Sequence, residues 1–183
     1  MTLVRRALAR FLALAVVFLL PATAAFAQDE PQVFNAFAVA VASGTIVKAG
    51  EKQVMVIGTL KGPMFVETDE GPVDAGSVVC GASIRFDTGT AHHIGSGACS
   101  FSAQDGATAW GEWKCTGYEL IGCRGTLRLT GGTGRLAGVA GQGSMVWRPS
   151  AHDFKKQLDG TTLQNSTGLL IWRDFKLVAK AKP

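Results

Sequence analysis

Apolar and polar residues alternate along short stretches of this chain with a period of two, most clearly over Ser77–Asp87 (SVVCGASIRFD). Val78, Cys80, Ala82, Ile84 and Phe86 fall on one side; Val79, Gly81, Ser83, Arg85 and Asp87 fall on the other. Successive side chains of an extended strand point to opposite faces, so this pattern predicts a strand with one buried face. Ala98–Ala103 repeats it, with Cys99 and Phe101 set against Ser100 and Ser102. Further strands are predicted at Asn35–Lys48, Lys52–Leu60, Met64–Glu67, Thr108–Thr116, Thr126–Thr130, Gly141–Arg148 and Gly168–Val178. Gly62-Pro63, Thr88-Gly89-Thr90 and Asp105-Gly106 read as turns, Thr68–Gly76 as an acidic loop, and Ser150–Gly160 as a polar loop with room for a helical turn. Helix periodicity is absent from Gln28 onward. Seven to nine strands separated by glycine-rich turns predict an all-β domain, a barrel or a sandwich.

The same alternation makes the four cysteines informative. Cys80 and Cys99 each lie on the apolar side of a strand, and the Thr88-Gly89-Thr90 turn is midway between them. A hairpin turning there sets the two side chains nearly opposite each other. Cys123 shares a side with Leu127 and Leu129, and Cys115 precedes it across Gly117–Gly122. Two disulfides are therefore expected, Cys80–Cys99 and Cys115–Cys123; the competing arrangement pairs Cys99 with Cys115 across Asp105-Gly106. Closing a loop of about 20 residues stabilises by about 3 kcal/mol in the chain-entropy account. No close C-x-x-C pair is present, which argues against a zinc site.

Residues 1–27 change how composition is read. Arg5, Arg6 and Arg10 precede an apolar run, Phe11–Leu20, that Pro21 breaks; Ala25-Phe26-Ala27 then forms a small-x-small cleavage sequence. This is the pattern of a secretory signal peptide, with an apolar core short for a membrane span. Gln28–Pro183 is then one domain, long enough to bury roughly 70% of its unfolded surface. The chain carries 18 Lys and Arg against 14 Asp and Glu, and three of those cations leave with the leader. The remaining near-neutral balance excludes a nucleic-acid patch, and Lys176, Lys180 and Lys182 read as a solvated tail. Export to the periplasm or the cell exterior agrees with an even cysteine count.

Eight of the 23 glycines lie between Gly122 and Gly143. Gly131-Gly132-Thr133-Gly134 offers backbone conformations that bulky residues tolerate poorly, as a sharp barrel corner needs. The run Gly131-Gly132-Thr133-Gly134-Arg135-Leu136-Ala137-Gly138-Val139-Ala140-Gly141 resembles the G-G-T/S-G-x-aromatic-x-G-aliphatic-x-G motif of the allene oxide cyclase-like and dirigent barrels, with Leu136 where an aromatic is usual. The likeness covers roughly 25 residues. It implies a closed, eight-stranded antiparallel, calycin-like barrel, a trimer in that family, and extends to small exported bacterial proteins of that type. It carries over no catalytic residue, and a fold alone does not license a function.

Chemistry-bearing motifs are few. Gly132-x-Gly134-x-x-Ala137 lacks the βαβ setting of a dinucleotide loop. His92 and His93, adjacent in sequence, would face opposite sides of a strand and could not chelate one metal; with His152 they read as solvated loop histidines. No serine elbow is present, and Asp69-Glu70 sits in a loop. No cofactor is expected. In Gly168–Val178, Leu169, Ile171, Phe175 and Leu177 form one face with Arg173 among them, opposite Trp172, Asp174 and Lys176. An inward Arg173 would need a partner or a ligand anion, unless a bulge turns it outward or a carboxylate such as Glu112 pairs with it.

Arg173, Trp113, Phe86 and Phe101 are the candidate ligand contacts, with Trp110 a further candidate lining. The expected function is binding of a small apolar or amphipathic molecule inside the barrel. The alternatives are an isomerase or cyclase using Arg173 and a buried carboxylate, or a structural or interaction barrel with a filled core. What the interior holds decides between them.

Overall fold

The computed structural model describes residues 31–119, 121–150 and 157–178; the leader, residues 1–27, lies outside them, as does His152. Eight strands follow one another: β1 (Gln32–Gly50), β2 (Gln53–Thr68), β3 (Gly71–Asp87), β4 (His92–Ser102), β5 (Thr108–Tyr118), β6 (Gly122–Gly132), β7 (Ala140–Pro149) and β8 (Thr162–Val178). Each pairs antiparallel with its neighbours in sequence, and β8 pairs back onto β1, giving a closed barrel with no free edge. Gly134–Leu136 forms a 3₁₀ turn between β6 and β7, and Gln157-Leu158 are helical.

The strands are longer than the local pattern predicts. The two predicted segments Lys52–Leu60 and Met64–Glu67 are one strand, with no turn at Gly62-Pro63. Gly62 sits so close to β1 that a Cβ there would meet the carbonyl oxygen of Val39. The predicted loop Thr68–Gly76 is mostly ladder too, with Val66↔Val73 and Thr68↔Gly71 paired around a tight turn.

Both disulfides join neighbouring strands in the expected pairing. Cys80 and Cys99 are direct partners across β3 and β4, and Cys115 and Cys123 lie diagonally across β5 and β6. All four are buried.

β1 presents Ala36, Ala38, Ala40 and Ala42 to the interior, all buried. Their small side chains leave room for the large ones opposite. Trp113, Met145, Trp147, Leu60, Ile84 and Leu170 fill the middle of the barrel, leaving gaps of about 10 Å³. Interiors close-packed in this way have no room for a ligand.

β8 departs furthest from its sequence reading. Where β1 advances from Phe34 to Ala36, β8 advances from Phe175 to Trp172, one residue more; the same happens between Ala42 and Gly44 against Ser166 and Leu163. Asp174 and Asn165 occupy these two bulges in the left-handed region, with φ of 49° and 50°. Asn and Asp tolerate that region better than other side-chain-bearing residues. An extra residue reverses which side faces inward. Leu170 and Trp172 therefore point into the core before the bulge, and Phe175 and Leu177 after it. This corrects the predicted face: Leu169, Ile171 and Arg173 lie outside, and Trp172 lies inside.

Candidate functional site

One end of the barrel is hollow. A cavity of about 200 Å³ opens where β1 begins and β4, β6 and β8 end. Phe34, Phe101, Trp172 and Phe175 contribute aromatic surface, and Met64, Val66, Leu127, Leu129 and Leu177 contribute aliphatic surface. Phe101 and Trp172 meet edge to face with centroids 5.6 Å apart, and Phe34 lies 5.4 Å from Phe175. Trp172 is 2% exposed, and its indole N–H has no hydrogen-bond acceptor among the described residues.

Two connections roof this end. The glycine-rich link between β6 and β7 contributes Arg135, Leu136 and Val139 to the lining; the β4–β5 turn contributes Ala103. Gly134 opens the 3₁₀ turn with φ of 58° and packs against Ala107 so closely that a Cβ would crowd it. Thr133 and Thr108 bind through their hydroxyls at 2.6 Å, and the Thr133 N–H donates to the Thr108 carbonyl. Arg135 Nε donates to Asp105 Oδ2 at 2.6 Å, tying the two connections together. The Ala107 N–H and then the Arg135 guanidinium hold the Asp105 carboxyl below the usual carboxylate range, so it is ionised at neutral pH. The dense glycine passage thus serves as the roof of the cavity. Among the described residues Arg135 is the only charged one in the lining.

The sequence-derived candidates scatter. Phe101 lines the cavity. Trp113 is buried in the packed middle and Trp110 is exposed. Phe86 is buried at the opposite end, against His93. Arg173 is on the outer surface, where its guanidinium pairs with Glu67. Glu112, named as its possible partner, pairs with Arg128 outside the barrel.

His93 corrects the expectation of solvated histidines. As the second residue of β4 it points inward at 1% exposure, between the rings of Phe86 and Trp147 with centroids 4.8 Å and 6.2 Å away. Neither ring nitrogen has a hydrogen-bond partner among the described residues. Burial, reinforced by the neighbouring His92, lowers its pKa to about 4, which keeps it neutral. His92 points the other way, bonded to Thr116 Oγ1 at 2.9 Å. The strand start at residue 92 was the missed signal.

A wider trough of about 480 Å³ runs along the outside, lined by Glu112, Lys114, Arg128, Asp174 and Lys176 among others. Its charges nearly balance. Among the described residues no cluster of three His, Cys, Asp or Glu could hold a metal ion, and no helix is long and apolar enough to cross a membrane. Neither a scan against protein-family models nor a search of curated proteins finds a match for the chain.

Proposed function

We propose that this protein is an exported barrel that binds one small apolar or amphipathic molecule at its hollow end. The observation that carries this reading is a cavity lined by aromatic and aliphatic side chains beside an otherwise packed core. Ligand sites are concave and largely apolar, with few polar groups that fix orientation. The two disulfides and the leader sequence support an exported setting, periplasmic or extracellular.

The glycine run Gly131–Gly141, standing at a barrel end, supports placing the fold with the calycin-like barrels of allene oxide cyclase-like and dirigent type. That kinship would allow an isomerase or cyclase working inside the barrel, but the apolar lining favours binding over chemistry. The trimer implied by the resemblance has a candidate surface. Val146, Ile171, Phe37 and Phe65 stand side by side on the outer face of β7, β8, β1 and β2, with Phe37 and Phe65 stacked at 5.3 Å.

Native mass spectrometry of the protein purified from its own host tests the reading. A co-purifying small molecule, absent from Ala36→Leu protein whose new side chain fills the cavity, is the expected result. Identical ligand-free masses, with no small apolar compound bound on titration, would refute it.

A further inference from the structure

We infer that the occupant of the cavity is a small one-ring carboxylate, its ring held among Phe34, Phe101, Trp172 and Phe175 and its carboxylate met by Arg135. This rests on the reading of the cavity as a binding site and adds the ligand's size and charge.

Size follows from volume. A dry apolar cavity of about 150 Å³ accepts benzene. The 200 Å³ here holds one ring with a short substituent and has no room inside for a long acyl chain. The shape of the aromatic lining fits a ring, because offset and edge-to-face contacts favour aromatic partners over aliphatic ones of equal area.

Charge follows from the roof. Arg135 reaches the cavity rim while its side chain keeps 62% of its surface exposed. Its contact with Asp105 is made through Nε, one of five donors on the guanidinium. A carboxylate matches the planar fork of an arginine and is the smallest such anion a single ring can carry into this volume. Asp105 is held in place by the Ala107 N–H at 3.1 Å and partly neutralises Arg135, so it sets how strongly an arriving anion is drawn. A neutral ligand of the same shape finds no charged partner, since among the described residues the other lining side chains carry no charge and the one further polar group is the Trp172 indole N–H.

Titration calorimetry of the full chain with both disulfides intact, at pH 7 and low salt, compares benzoate, benzyl alcohol and toluene. Benzoate should bind roughly tenfold more tightly than benzyl alcohol, in the range of a charge-assisted hydrogen bond at a half-open site. Arg135→Gln should erase that preference and leave toluene unchanged. Asp105→Asn should strengthen benzoate binding several-fold, again without effect on toluene. Benzoate binding no tighter than that of toluene, or unchanged in Arg135→Gln, overturns the inference while leaving the cavity reading standing. Failure of all three compounds to bind, or toluene binding that survives Ala36→Leu and the rim variant Ala103→Leu, overturns the cavity reading itself. Circular dichroism of each variant separates lost binding from lost folding.

Discussion

His93 lies against Phe86 with ring centroids 4.8 Å apart, a neutral imidazole used as core packing. Its folded pKa of about 4 is below the ordinary 6.5, so between those values the unfolded chain takes up a proton that the folded chain refuses. The contribution is complete above pH 6.5 and is lost as pH falls toward 4, by about 3 kcal/mol over the whole interval. Thermal melts across pH 4.5–7.5 should show Tm falling with acid. His93→Phe, which keeps an aromatic ring and removes the titration, should flatten that fall. Parallel curves for the two proteins would show that His93 does not titrate as described.

Asp174 carries the bulge that turns Trp172 inward. With φ of 49° it sits in a region that costs L-residues roughly 1–2 kcal/mol and glycine almost nothing. Asp174→Gly should be neutral or stabilising in urea denaturation, and Asp174→Val should destabilise by about 1–2 kcal/mol or more. Equal stability of the two variants would mean that the bulge is placed elsewhere.

Arg173 pairs with Glu67 on the outer wall, with both side chains substantially exposed. Exposed pairs contribute about 0–1 kcal/mol. Arg173→Gln should therefore change the urea midpoint little and leave binding of any cavity ligand untouched. A loss of several kcal/mol would instead mark a buried, uncompensated charge left on Glu67, and with it an inward Arg173.

Peptide mapping without reduction should return Cys80 linked to Cys99 and Cys115 linked to Cys123. Replacing Cys80 and Cys99 together by alanine should destabilise by about 3 kcal/mol through the freed loop. Because both side chains are buried, lost packing adds to that figure. A peptide joining Cys99 to Cys115 would contradict the strand register.

Legibility followed the range of the interactions. The alternation over Ser77–Asp87 and Ala98–Ala103 was readable because no register shift interrupts either stretch; the bulge in β3 lies before Ser77. In β8 the phase breaks at Asn165 and again at Asp174, so across Gly168–Val178 the face that reads as continuous lies outside before Asp174 and inside after it. Asn165 and Asp174 were the available signals, both residues suited to the left-handed region. His93 was missed because the turn ends at Ala91, one residue earlier than solvated histidines require.

By itself the sequence determined the all-β class and the place of the glycine-rich corner, and it favoured the cysteine pairing that the strand register then fixed. Each depends on period-two geometry or on a turn lying midway between two partners, and both are local. Tertiary structure alone decided which side chains share the interior. Whether a barrel is hollow depends on the summed volume of residues from every strand, on bulges set by the neighbouring ladder, and on which roof loop meets which turn. The alanines of β1 could have lined a void or made room for tryptophans. They do both: Ala36 borders the cavity, and further along the strand the alanines face the packed middle. Arg135 and Asp105 are 30 residues apart in the chain, and only the closed sheet brings them together over that cavity.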